Sequence, residues 1–331
     1  MSGTVGRKPP RAVLWGKLAW HPAAAAWSAF AAGAAEPERI EVLRNGKKAG
    51  TYRLVGAGPA GESIIAQRSP LARALIERAV YERILPRLTV TAPHYYGSRE
   101  DGRDFVWLFL EDLGDERFSK TDPVHAEHAA RWVGTMHSGA AWISAARHLP
   151  DGGPLRYRDH LRAGRHTIRV HIANPALTPP DVDLLERLVT DLDALERRWA
   201  GIEDACTNTP PTLTHGDIQR KNIYVRSGPS GPALFLIDWE TAGWGVPAAD
   251  LTLVDLPTYW SVVRARWPHV RLEDVRRLAA VGRVFLQLAG IRWVSPELAY
   301  DQALYLTRPI AWLRVLHERL ADAVRELEAL P

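Results

Sequence analysis

The sequence predicts an α+β chain in two lobes: a small β-rich N-terminal lobe with one main helix, and a larger, mostly helical C-terminal lobe that carries a β-hairpin. Three observations predict it. Residues 38–68 alternate apolar and polar side chains between Gly and Asn-Gly punctuation, which is a strand pattern. From Pro123 onward the apolar positions recur mostly at helical spacing. Within residues 213–240 two β-rich runs, NIYV and ALFLIDWE, flank the turn-rich RSGPSGP and read as a hairpin.

The elements follow in order. Arg44-Asn45-Gly46-Lys47 is a hairpin turn signal. Gly56, Gly58 and Gly61 lie between the β-prone runs YRLV and SIIA, so a glycine loop joins two strands. Residues 70 to about 85 are helical, with Leu71, Leu75, Val80 and Ile84 in or near register. Pro93 opens an extended segment, DFVWLFL is a strand, and Glu111-Asp112-Leu113-Gly114 forms a short acidic link. Helices are expected over 124–137 and 180–199, then around 258–267, 272–291 and 296–328. Segments 147–156 and 203–211 read as irregular connections. The expected division is an N-terminal extension over 1–36, an N-lobe over 37–111 and a C-lobe over 112–331.

Composition narrows the class. The 331 residues are enough for one large or two modest cores, and 46% hydrophobic with 24% charged is ordinary for a globular protein. The net charge of +4 is spread along the chain, which suits a polyphosphate and does not argue for nucleic acid. One cysteine, Cys206, excludes an intrachain disulfide and a cysteine metal cluster. With a nucleotide reaction it points to the cytoplasm. The N-terminus mimics a secretory signal, with Arg7, Lys8, Arg11 and Lys17 before the Ala-rich run 23–35. His21-Pro22, Ser28 and Gly33 interrupt that run, so Trp15, Leu18, Trp20, Trp27 and Phe30 are expected to pack instead. No apolar stretch is expected to span a membrane, and the oligomeric expectation is a monomer or dimer.

The glycine loop admits a rival reading. Gly56-x-Gly58-x-x-Gly61 after a strand is also the dinucleotide fingerprint, and Glu77 lies about 20 residues on. That fingerprint needs a helix to open at the third glycine, whereas Ser63-Ile64-Ile65 favours a strand. A phosphate loop from Gly56 to Ser63 fails because Glu62 stands at its lysine position.

The stretch His215-Gly216-Asp217-Ile218-Gln219-Arg220-Lys221-Asn222, followed by Leu236-Ile237-Asp238-Trp239-Glu240, resembles the aminoglycoside phosphotransferase and choline kinase group. That group is the small-molecule branch of the protein-kinase-like fold. GVPAADLTLV is also similar, with Asp250 matching an Asp that shapes the C-terminal lobe, so the resemblance covers most of the chain beyond residue 36. It implies transfer of a phosphoryl group from ATP or GTP to a hydroxyl of a small molecule, an aminoglycoside or other antibiotic among them. It implies Asp217 as the group that accepts or orients the acceptor proton. Asn222 and Asp238 would hold Mg²⁺, which takes hard oxygen ligands. The hairpin would bring those two to one ion. Gly56, Gly58, Gly61 and Ser63 would cover the phosphates, and main-chain groups at Glu111 to Leu113 would hold the base. His215 is expected to brace the loop. The group's strand lysine, which pairs with a helix glutamate and with phosphate, falls at Gln67, and Glu77 best matches that glutamate. Arg68 should point to the opposite face, and Lys47 and Lys48 are the nearby cations. The departure leaves open an active enzyme with a rearranged clamp, weak nucleotide affinity, or an impaired nucleotide-binding relative. A dinucleotide-dependent oxidoreductase is the third class. Trp239, Trp244, Trp260 and Trp267 are candidate stacking surfaces or core.

Overall fold

The computed structural model describes residues 12–46, 49–228 and 231–330. Arg7, Lys8, Arg11, Lys47 and Lys48 therefore lie outside the described residues, as do Pro229 and Ser230 of the hairpin turn. The chain divides into two compact units. The first is Met1–Pro86, Thr91–Glu116 and Tyr224–Glu240; the second is Arg87–Val90, Arg117–Ile223 and Thr241–Pro331.

The first unit is built on an antiparallel sheet. Its strands are β1 (Ala12–Leu14), β2 (Arg39–Asn45), β3 (Gly50–Val55), β4 (Ile64–Pro70), β5 (Tyr95–Asp101) and β6 (Phe105–Glu111), in the order β1-β2-β3-β4-β6-β5. Helix α1 (Pro22–Phe30) precedes β2, and α2 (Leu71–Ala79) follows β4 directly. Strand alternation decides which helix each side chain meets. Trp107 and Phe109 join the cluster with Trp27 of α1, while Val106 and Leu108 pack with Ala74 of α2. The short strands Ile223–Arg226 and Ala233–Leu236 pair with each other, and from Tyr224 onward they belong to this unit.

The Ala-rich stretch is thus a helix of the first unit's core. His21 caps it by accepting the Ala23 N–H, and Pro22 fits its first turn. Ala23, Ala24 and Ala26 are buried, and their small side chains let the helix approach the sheet closely. Trp27 is 2% exposed, lies 5.1 Å from the Phe109 ring and donates its indole N–H to the Ala57 carbonyl at 2.8 Å. Leu18 is buried as well, but Trp15 and Trp20 are exposed, against the expectation that they pack. Trp27→Ala is expected to lose about 3–5 kcal/mol of stability, read as a lower urea midpoint.

The second unit is mostly helical: α3 (Pro123–Ala140), α4 (Pro154–His171), α5 (Pro179–Arg197), α6 (Trp199–Ala205), α7 (Leu256–Val263), α8 (Leu272–Val294) and α9 (Ala303–Ala329). Helix α4 begins inside a segment expected to be irregular. Its buried positions Tyr157, Leu161, Gly164 and Ile168 keep helical spacing, but the arginines and histidines between them mask the pattern. The stretch Leu272–Ala299 is long and apolar enough by composition to cross a membrane, contrary to expectation. More than half of it is buried, packed against α4 and α9, as a core helix would be. A Cβ at Gly282 of α8 would fall 1.8 Å from the Ala248 carbonyl oxygen. Gly282→Ala is therefore expected to cost about 1–3 kcal/mol or more, again read from the urea midpoint.

Candidate active site

The His215-Gly216-Asp217 loop follows the strand Thr212–Thr214, which pairs with Gly243–Gly245 in the second unit. Gly216 has φ +77°, a left-handed backbone that glycine adopts without a Cβ clash. A side chain there would also approach the Thr241 carbonyl at 3.0 Å. The loop is held from behind by Asp250, which is fully buried. Its carboxylate accepts the backbone N–H of His215 at 2.7 Å and of Gly216 at 2.8 Å. It also lies 3.1 Å from His137 Nε2, and His137 Nδ1 lies 3.0 Å from the Tyr259 hydroxyl. The Nε2–H tautomer satisfies both contacts, with His137 donating to Asp250 and Tyr259 donating to His137. Burial pushes the Asp250 carboxyl up, but His137 and His215 outweigh it and leave it below its ordinary value. His215 braces the turn: its Nδ1 accepts the Asp217 N–H at 3.2 Å, and its carbonyl accepts the Thr241 hydroxyl at 2.8 Å.

This frame presents the Asp217 carboxylate, 13% exposed. Gln219 Nε2 donates to its Oδ1; Lys221 Nζ lies 3.0 Å and Asn222 Nδ2 3.2 Å from Oδ2. Asn222 Nδ2 also donates to the Asp217 carbonyl at 2.9 Å. With its amide nitrogen committed twice to Asp217, Asn222 retains Oδ1 as the oxygen suited to a hard cation. The structure therefore brings Asp217 and Asn222 together within the second unit.

The other predicted residues belong to the first unit. Gly56 (φ +77°), Gly58 and Gly61 (φ +82°) form the turn between β3 and β4, and Ser63 is half-buried beside β4. An antiparallel strand, not a helix, follows the third glycine, which removes the dinucleotide and phosphate-loop readings. Glu62 folds back on the loop, accepting the Ala60 N–H at 2.8 Å and the Tyr96 hydroxyl at 2.9 Å. Glu111 is at the end of β6, where its carboxylate accepts from Arg226 at 2.6 Å and from the His94 N–H at 2.9 Å. Leu113 is buried. Buried Arg53 anchors the acidic link between them, donating to Asp112 at 3.0 Å and also to Glu41 at 2.8 Å.

Gln67 faces α2 and donates to Glu77 Oε1 at 3.0 Å and to Ser69 at 3.1 Å. Arg68 points away, pairing with Asp101 at 2.5 Å and lying over the Phe105 ring. Glu77 is fully buried, and its Oε2 has no hydrogen-bond partner among the described residues. Carboxylate oxygens of Glu77, Asp238 and Glu240 all lie within 4.8 Å of one another. Burial pushes the Glu77 carboxyl well up; Asp238 and Glu240 push it further, while the Gln67 bond and Arg73 oppose the rise. Asp238 has φ +69°, the single non-glycine residue in the left-handed region among the described residues. Asp tolerates that region better than most residues, and such strain collects at functional sites. Arg73 Nη1 reaches both oxygens of Glu240 at 3.0 and 3.1 Å.

The model of the phosphotransferase enzyme family matches residues 39–289. The chain belongs to that family. The observed β-sheet and helical units fit the protein-kinase-like fold. No curated protein matches the phosphotransferase by sequence. Among solved structures it is similar to a microcompartment-associated aminopropanol kinase: 16% identity, TM-score 0.61, covering 90% of this chain and 94% of that one. It is also similar to aminoglycoside 2'-phosphotransferase-IIIa in its GDP complex: 14% identity, TM-score 0.59, covering 86% and 92%. Spectinomycin phosphotransferase in complex with ADP and spectinomycin gives 12% identity, TM-score 0.55, and 88% and 93% coverage.

Several supports in the phosphotransferase were not read from its sequence. Arg73, Glu240, Gln219, Lys221, His137 and Tyr259 all touch a predicted residue or its brace. Arg73 was legible in part, since it stands four residues before Glu77 on one helix face. His137 and Tyr259 lie 122 residues apart, and no local pattern joins them. Trp239 and Trp267 are buried and belong to the core; Trp244 and Trp260 are half-buried.

Proposed function

We propose that the protein moves the γ-phosphoryl group of ATP or GTP to a hydroxyl of a small amino-bearing molecule, an aminoglycoside or an amino alcohol. The observation that carries this reading is the Asp217 carboxylate beside Asn222 on a loop fixed by Asp250. In the reaction the acceptor oxygen forms a bond to the γ-phosphorus, and the bond from that phosphorus to the β-phosphate bridging oxygen breaks. Asp217 takes the acceptor proton, and the nucleoside diphosphate leaves. Catalysis of this kind is mostly positioning and charge neutralisation. Magnesium would take hard oxygens such as Asn222 Oδ1 or the Asp238 carboxylate, and Glu77 Oε2 is a buried oxygen without a hydrogen-bond partner among the described residues. When bound, it neutralises phosphate charge. The loop of Gly56, Gly58, Gly61 and Ser63 covers the phosphates, and the segment Glu111 to Leu113 takes the base. The aminopropanol kinase and the aminoglycoside 2'-phosphotransferase to which the chain is similar support an amino-bearing acceptor. A nucleoside triphosphate substrate and one buried thiol, Cys206, support a cytoplasmic setting.

The uncharged Gln67 favours a second reading, a relative that binds nucleotide without transferring phosphate. One experiment separates the two. The protein is incubated with ATP or GTP, Mg²⁺ and a panel of aminoglycosides, amino alcohols and sugars, and each acceptor is weighed by mass spectrometry. Gain of one phosphate on an amino-bearing acceptor supports transfer. Nucleotide binding with no acceptor changed would leave the second reading.

A further inference from the structure

Helix α4 carries arginines on two faces, and only one face is neutralised. Arg158, Arg162, Arg165 and Arg169 pair with Asp193 and Glu196 of α5 and Glu203 of α6. Arg156, His160 and Gly164 recur every four residues on the opposite face, which meets the C-terminal end of α8. A Cβ at Gly164 would fall 3.0 Å from Ile291 Cγ2 and 3.5 Å from the Arg292 backbone nitrogen. Arg292 is the exception on its own helix as well. Arg276, Arg277 and Arg283 of α8 pair with Glu273, Asp204 and Glu326. Among the described residues, neither Arg156 nor Arg292 has a carboxylate within 4.0 Å, although both are half-buried.

These two cations adjoin the Asp217 loop. The Arg156 guanidinium donates to the Thr241 carbonyl at 2.7 Å and the Ala242 carbonyl at 3.3 Å. A Cβ at Gly216 would lie 3.6 Å from its Nη1. The two carbonyls take two of its five N–H groups and leave its charge uncompensated. The nearby acids are engaged elsewhere. Asp217 is held by Gln219, Lys221 and Asn222, and Asp151 accepts the Gly153 and Arg156 backbone N–H groups. Burial pushes the His160 imidazole down to about 4; Arg156 and then Arg292 push the same way, and Asp159 opposes them. His160 is therefore neutral at neutral pH and keeps one N–H to donate. A half-buried guanidinium without a counterion has lost part of its hydration, and its fork of donors matches the oxygens of a carboxylate or a phosphate.

We propose that Arg156 and Arg292 hold an anionic group of the acceptor, a carboxylate or a phosphate, with His160 donating beside them. The acceptor is then an alcohol that carries an anion as well as an amino group. Two uncompensated arginines beside the loop repel a polycationic aminoglycoside and favour a zwitterion. The inference rests on the phosphotransfer reading for the acceptor's role; the anion site itself is a property of the second unit.

The test uses matched acceptors with ATP and Mg²⁺. Isoserine is compared with 1-amino-2-propanol, in which a methyl replaces the carboxylate, and glucosamine 6-phosphate with glucosamine. Wild type is expected to show a kcat/KM at least tenfold higher for the anionic member of one pair, and that pair names the group. Arg292→Gln is expected to raise KM for that member tenfold or more and to leave its neutral partner unchanged. Arg292→Glu is expected to invert the preference, and a thermal melt checks that each variant folds. Arg292→Gln decides the matter if Arg292→Glu does not fold, because it removes the charge without breaking a bond to the protein. The same acceptors are titrated by calorimetry without nucleotide. No preference for either anionic member in transfer or in binding, or equal losses for both members in Arg292→Gln, would overturn the inference. Transfer to the neutral members alone rejects the anion site and leaves the phosphotransfer reading standing. Arg292-dependent binding of an anionic member with no phosphate moved does the reverse.

Discussion

Asp217→Asn is expected to lower kcat for phosphate transfer by about 10²–10⁴-fold, with nucleotide affinity and the thermal midpoint close to wild type. The amide keeps the shape of the carboxylate but cannot accept the acceptor proton. Gln219, Lys221 and Asn222 all contact the Asp217 side chain, and one oxygen acceptor remains in the variant for part of that network. The backbone position is set elsewhere, through the His215 and Gly216 N–H groups on Asp250. The loss should therefore appear in kcat at saturating substrate and not in folding. Initial rates with each donor, beside a thermal melt, check both parts. An unchanged kcat would remove Asp217 from the proton transfer.

Asp250→Ala is expected to act in the opposite way, on stability first. Removing one member of a buried charged network costs about 3–5 kcal/mol, because its partners stay buried and unpaired. Here those partners are two backbone N–H groups and His137, itself hydrogen-bonded to Tyr259. Burial, with Asp250 a smaller contributor, pushes the Tyr259 hydroxyl well above its ordinary value, so it remains a donor. The pH dependence follows from the direction of the Asp250 shift. Its carboxyl lies below its ordinary value in the fold, so its stabilisation is complete above the unfolded value of about 3.9 and is lost as pH falls through the lower folded value. Urea midpoints measured from neutral to acid pH should show a fall on the acid side in wild type that is smaller in the variant. The variant should also lose activity at neutral pH, because the Asp217 loop has lost its anchor.

The two-lobed pattern and the pairing of Asp217 with Asn222 were legible because both are local. The strand–glycine loop–strand order needs only alternation and punctuation, and Asp217 and Asn222 stand five residues apart, close enough for one turn to join them. The strand after the glycine loop was legible as a departure: Gln67 was visible in the lysine position, but its hydrogen bond to Glu77 was not. That bond depends on α2 following β4 directly and packing on the Val106–Leu108 face of β6. The N-terminal helix was hidden for a compositional reason. Alanine is weakly hydrophobic and gives little periodic signal, so burial of Ala23, Ala24 and Ala26 shows only once the sheet is present. Buried Arg53 escaped for the opposite reason, since a lone arginine in an alternating strand reads as solvent-facing.

The central claim is that this chain is a working phosphotransferase despite the neutral residue at 67. The most direct test follows wild-type protein with ATP, Mg²⁺ and an amino-bearing alcohol by ³¹P NMR. The account predicts a new phosphomonoester signal on the alcohol, growing in equal amount with ADP. ATP that remains bound but unconsumed with every alcohol tried would contradict it.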